Sequence, residues 1–335
     1  MGTHRFLQFE SPQPHRRMVR EIAVALMNYY LNANLSRSKW LKVPRQPAKC
    51  FDAPRGEPTK RREWLSKPID VRTFESHLES GTFDYASFEL VDPRCDWLDA
   101  SVQGGPAFHA VGADGNALRF LMPTTLGPSF PLVPTIDREG YAFNSFQLLL
   151  LDRILDLRNA VVAASDTFST GAWFQNLRAF ICECVSLVDV TLHQIYYKAE
   201  HSPLPGWVFD PARLGPRHGR RLLDKLAWIY QITGNPLHAD AETRTLRTTK
   251  GLRNHLQHFD PPCFCYTLED VARWLNGMHD IATLAWKMST AMGSSLCVPL
   301  IRMLLAPRVI FVAADSSRPR VPQPADVGYG STALP

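Results

Sequence analysis

Beyond residue 142 the chain settles into long segments in which apolar residues recur every three or four positions, and this texture limits the fold more than any other feature. The spacing predicts five helices, at about 143–164, 170–200, 219–233, 239–259 and 267–292. Their ends carry the expected punctuation: Ser165-Asp166 and Ser169-Thr170 before the second, Gly234-Asn235-Pro236 after the third, and Thr267 with Glu269-Asp270 opening the fifth. Connections this short imply an up-and-down helical bundle.

The remainder reads differently. A chain of 335 residues exceeds the usual single domain of roughly 100 to 200, so two folding units are expected. Residues 15–35 place Val19, Ile22, Ala23, Leu26, Met27 and Tyr30 on one helical face. Residues 36–68 scatter five prolines among basic residues, a composition that buries too little to order itself and reads as a linker or long insertion. Segments 83–91 and 107–122 are rich in aromatic and β-forming residues, and Gly112-Ala-Asp-Gly-Asn116 suggests a hairpin turn. The expected architecture is therefore mainly α. A smaller α+β domain spans 1–140, with a basic Pro-rich insertion at about 36–68. A helical bundle follows at 141–292, then an apolar segment and a Pro-rich, unstructured tail over 293–335.

Seven cysteines are an odd number, too sparse for a secreted disulfide scaffold, which points to a reducing compartment. The first twenty residues lack an apolar stretch of signal-peptide length, and no segment offers roughly 18 unbroken apolar residues. Pro299, Arg302, Pro307 and Arg308 interrupt the greasiest stretch, which reads as packed or partner-covered chain. A cytoplasmic protein without a membrane partner is expected. The net charge is only +5, but Lys and Arg crowd into 37–67 and 213–253, where contact with a polyanion competes with the plainer reading of a solvated linker and helix face.

The fourth helix carries the best candidate for chemistry. Pro261-Pro262 stop it, which leaves His258 at its carbonyl end, where the helix dipole suits an imidazole that gives and takes a proton near neutrality. Arg247, Lys250, Asn254 and His258 step by three or four along one stripe, and Arg253 is flexible enough to reach towards it. A histidine to move the proton of a 2′-hydroxyl and a guanidinium to bind phosphate suit RNA cleavage without a metal or cofactor. The plainer reading is that Arg253 and His258 merely cap a helix in a scaffold with no active site.

The block Arg253-Asn254-His255-Leu256-Gln257-His258 resembles the signature of the HEPN superfamily of α-helical bundles, an Arg, a polar residue, then a His. Arg72 to His77, Arg213 to His218 and Arg273 to His279 satisfy the same loose spacing, but only Arg253 is followed by Asn and closes a helix within the bundle. The resemblance covers about residues 143–292. It implies a homodimer whose motifs share a cleft and form a metal-independent endoribonuclease centre that leaves a 2′,3′-cyclic phosphate. In that centre Arg253 binds the scissile phosphate, Asn254 orients it and His258 is general base or acid; Arg247, Lys250 and His255 are candidates for RNA phosphate contact. It also implies a toxin or defence effector restrained by an antitoxin or regulatory protein. Some members bind nucleotide or protein without cutting, which is the alternative function.

Other features read as structural. Cys182 and Cys184 point to different helix faces and read as packing residues; Cys263 and Cys265 have no second pair with which to hold zinc. Asp152 and Asp156 flank Arg153 and Arg158 on what reads as a polar helix side, and Asp166 adds no metal site to them. Trp173, Phe174, Phe180, Tyr196 and Tyr197 have core spacing rather than that of a base-stacking platform; His193 and His279 read as satisfied mid-helix residues. Gly104-Gly105 and Gly112 to Gly115 lack the Lys-Ser/Thr of a phosphate loop.

Overall fold

The first strand of the chain, β1 (Leu7–Phe9), is followed by α1 (Arg16–Tyr30), α2 (Arg37–Trp40) and α3 (Val71–Ser80). These come from a computed structural model that describes residues 6–11, 16–30, 33–43, 70–83, 107–111, 117–121, 146–168, 170–201, 203–258, 266–292 and 296–312. Val19, Ile22, Ala23, Leu26 and Met27 form the buried face of α1, as their spacing predicts. The first residues of the Pro-rich stretch are not free chain. Trp40 is buried and its indole donates to Asn28 Oδ1 at 2.9 Å, while Arg37 grips Glu75 of α3 through two bonds at 2.7 and 2.9 Å. The strands β2 (Ala107–Val111) and β3 (Ala117–Leu121) pair antiparallel from Ala107↔Leu121 to Val111↔Ala117. The expected turn residues 112–116 and nearly all of the 83–91 segment lie outside the described residues.

The helices α4 (Phe146–Ala163), α5 (Gly171–His201), α6 (Pro211–Leu214), α7 (Leu222–Lys225), α8 (Ala227–Thr233), α9 (Asp240–His258) and α10 (Leu268–Ala291) follow, and the described fold is mainly helical. Four of the five periodic segments form single helices. The segment 219–233 does not: Gly219 at φ 80° is outside the helical range, and Leu226 separates α7 from α8. The fifth begins with a full capping box, in which Thr267 Oγ1 accepts Asp270 N–H at 3.1 Å and Asp270 Oδ2 accepts Thr267 N–H at 2.9 Å.

At about 1.5 Å per residue, α5 runs roughly 45 Å and packs against α4, α8, α9 and α10. By length and composition it is apolar enough to cross a membrane, a feature the sequence reading did not register. In its most apolar window 56% is already buried inside the protein, so packing accounts for much of its apolar surface. Trp173, Leu177, Phe180 and Ile181 belong to that buried face, each contributing about 1.5 to 3 kcal/mol by leaving water. Trp173 Nε1 donates to Val161 O at 2.9 Å and fixes α5 against α4.

The segment after α10 is part of the same body. It forms α11 (Val298–Leu305) and β4 (Val309–Phe311), and β4 pairs antiparallel with β1, with Leu7 opposite Phe311 and Phe9 opposite Val309. Ser165 Oγ binds Leu7 N–H at 3.1 Å, α1 touches α11, and one continuous apolar core runs from Leu7 to Val309. The early strand and helix are thus built into the same core as the bundle. The tail 313–335 lies outside the described residues.

Candidate functional site

Asp240 and Glu242 occupy the first turn of α9, and His255 and His258 its last, an order that complements the helix dipole. Leu246, Leu252 and Leu256 are the buried face of this helix, which packs on α5 and α10. The helix is unbroken from Asp240 to His258, so Arg247, Lys250, Asn254 and His258 run along one line. Arg247 and His258 are exposed; Lys250 and Asn254 are half-buried. His255 is half-buried and engaged by a neighbour.

Arg253 is turned towards Gln257 rather than towards that line. It stands about 140° from His258 around the helix. Its Nη1 donates to Gln257 Oε1 at 2.8 Å, and its Nε is shielded from solvent without a hydrogen-bond partner among the described residues. The guanidinium lies near Cys182 of α5, where its charge and that of Arg178 oppose the rise that burial imposes on the thiol. Gln257, one turn further along, supplies the acceptor on that side. The structure therefore lines up Lys250, Asn254 and His258, and sets Arg253 on a different flank, near Cys182 of α5.

A second polar cluster escaped the sequence reading. Lys225 is buried, and its Nζ lies 2.7 Å from Asp189 Oδ1 and 2.8 Å from His193 Nε2. An ammonium only donates, so His193 Nε2 accepts and its proton sits on Nδ1. Burial first, then the Lys225 charge, lowers the His193 pKa, with Asp189 opposing. His218 lies near by, its ring tilted by 41° to that of His193 with 5.4 Å between centroids. The only local signal was the i,i+4 pair Asp189 and His193 on an otherwise apolar helix; the lysine comes from another element.

Trp173, Phe180 and Tyr196 are core residues. His279 has its ring nitrogens 3.0 Å from Asn276 O and 2.7 Å from Ala306 O, and the neutral ring donates its single N–H to one of these carbonyls. Cys184 is buried and its thiol pKa is pushed up strongly by burial. Cys263 and Cys265 lie outside the described residues. One placement is a correction: Asp152, Arg153 and Asp156 are exposed, but Arg158 is fully buried, because its position on α4 faces β1 and the loop before β4. No protein-family model, no curated protein and no solved structure matches the chain.

Proposed function

We propose that the protein is a metal-independent endoribonuclease of HEPN type, acting as a homodimer in which two α9 ends share a cleft. The observation that carries this reading is an exposed His258 at a helix end, with Arg253 five residues before it on the same helix, a guanidinium whose Nε N–H has no acceptor among the described residues. A buried donor left unpaired costs about 1 to 3 kcal/mol, a cost that a phosphate oxygen arriving at this flank removes. His258 takes the proton of a ribose 2′-hydroxyl, and the 2′-oxygen attacks the adjacent phosphorus. The bond to the 5′-oxygen breaks, and that oxygen takes a proton from His258 of the partner subunit. Arg253 bears the charge growing on the phosphate and Asn254 orients it, with Arg247, Lys250 and His255 holding the strand. The products are a 2′,3′-cyclic phosphate and a 5′-hydroxyl. A cytoplasmic toxin or defence role, restrained by a partner protein, belongs to the same proposal.

The second reading is a module that binds nucleotide or protein at this edge and cuts nothing. The Arg253–Gln257 bond favours it, because it occupies a guanidinium nitrogen that the reaction needs. Purified wild type, Arg253→Ala and His258→Ala incubated with RNA in EDTA separate the two. Cyclic-ended fragments from wild type alone support the ribonuclease. Intact RNA with measurable binding moves the module ahead, and cleavage restored only by a divalent ion overturns the metal-free mechanism.

A further inference from the structure

A cleft of about 750 Å³ opens between α9, α10 and β4, on the same helix as Arg253 and His258 but towards its N-terminal half. That volume suits a small organic ligand. Its floor is narrow because Gly277 lets the two helices approach: a Cβ there would stand 3.3 Å from Thr245 Cγ2. Its third wall is β4, which Asn276 ties to α10 by bonding both the N–H and the C=O of Val309 at 2.8 Å.

The charges around the cleft are unbalanced in an informative way. Arg244 and Arg308 line it, and neither makes an ion pair among the described residues. Arg273 is held by Asp270 on its own helix. Behind the wall sits Arg158, fully buried, whose partners among the described residues are the Pro307 carbonyl and the Phe9 ring, with its Nε unpaired among them. The charges of Arg158 and Arg308 both reach His279. Buried cations ordinarily have an anion beside them, and none is present around Arg158 among the described residues.

The rest of the lining narrows the choice of anion. Trp274 offers a half-buried aromatic surface, tilted against Tyr266 at 5.6 Å between centroids. Asp280 Oδ2 accepts Thr245 Oγ1 at 2.6 Å, which leaves Oδ1 to accept from a hydroxyl or amino group. Glu269 stands on the lining as a second acceptor. Ile310, 39% exposed, and Phe311 supply apolar contact. An inorganic anion would use the arginines and waste the rest; a fatty acid would find the acceptors unmatched.

We infer that this cleft binds a nucleoside phosphate, with Arg244 and Arg308 on the phosphate, Trp274 against the base and Asp280 on a ribose hydroxyl or base amino group. Base stacking is worth most on tryptophan and tolerates any base, so selectivity falls to Asp280. The ligand chemistry has two sources, a free nucleotide or one residue of an RNA strand. The second would rest on the ribonuclease reading, since a strand leaving the cleft along α9 covers about 15 Å between Thr248 and His258.

Calorimetric titration of the full chain carrying His258→Ala, which removes cleavage as a complication, decides the matter. The probes are AMP, ATP, adenosine, inorganic phosphate and a single-stranded hexaribonucleotide. AMP or ATP is expected to bind at least about tenfold more tightly than adenosine or phosphate, and Arg244→Glu or Arg308→Glu to weaken it about tenfold or more. Binding of the hexanucleotide alone, with the same losses, assigns the strand as the source. No saturable heat with any probe, or equal affinity in the arginine variants, overturns the site. If a variant fails to fold, amide exchange in the His258→Ala chain replaces it: protection by AMP or hexanucleotide must fall on 244–249 and 272–280, and protection elsewhere overturns the assignment. Cleavage is read separately on gels with the unsubstituted chain, so either proposal can fail alone.

Discussion

The side-chain amide of Asn276 acts as a strand towards Val309, donating from Nδ2 to its carbonyl and accepting its N–H on Oδ1, both at 2.8 Å. In an antiparallel pair the N–H and C=O of one residue point to the same side, so at Val309 they face away from β1. Asn276 satisfies a strand edge that would otherwise be buried unpaired. Asn276→Ala is expected to lower stability by about 1 to 3 kcal/mol, read by urea denaturation. Unchanged stability would mean that water replaces the amide there.

Arg158 carries a buried charge without a counter-ion among the described residues, and burial holds its pKa down to about 10. A base whose folded pKa lies below its unfolded value is a cost wherever the unfolded chain is protonated, here at all pH values below about 10. That cost is a few kcal/mol. Arg158→Met is expected to raise stability by about 1 kcal/mol net of the lost Pro307 bond, and to weaken AMP in the cleft. A fall in melting temperature would show that the Phe9 and Pro307 contacts outweigh the desolvation.

Burial, with Arg158 and Arg308 near by, keeps His279 below its ordinary pKa despite the two carbonyls against its ring. The unfolded chain therefore takes up the proton first as pH falls. The His279 contribution is whole above about pH 6.5 and is lost progressively below it. His193 acts with the same sign. Wild type should thus lose melting temperature between pH 7 and pH 5, and His279→Gln should lose less. Parallel curves would remove His279 from the cause.

Lys225 lowers His193 while Asp189 raises it. Lys225→Met deletes the first influence and leaves the second, so the His193 pKa should move up, as followed by NMR titration of its ring protons. A downward move would mean that the cluster rearranges around the substitution.

Arg253 and His258 differ in burial, and this separates chemistry from folding. His258 is exposed, so His258→Ala should change stability by less than about 0.5 kcal/mol. Arg253→Ala removes the Gln257 bond and packing near Cys182 and should cost about 1 kcal/mol. Loss of RNA cleavage in His258→Ala at unchanged melting temperature would then be a chemical effect.

Local periodicity and end chemistry made the helices legible. The spacing of Leu246, Leu252 and Leu256 set the buried face of α9, and Thr267 with Asp270 marked the start of α10, because a helix is decided by residues within a few positions of one another. The line from Arg247 to His258 follows from the same rule. What the tertiary structure decided involves partners far apart in the chain. Leu7–Phe9 pairs with Val309–Phe311, Lys225 enters the α5 pair Asp189 and His193, and Arg158 turns inward beneath Pro307. Arg253 bonds Gln257 on its own helix, yet the burial of its Nε comes from α9 packing on α5. A composition window or a helical wheel contains no term for such meetings; only closing the chain around one core brings those groups together.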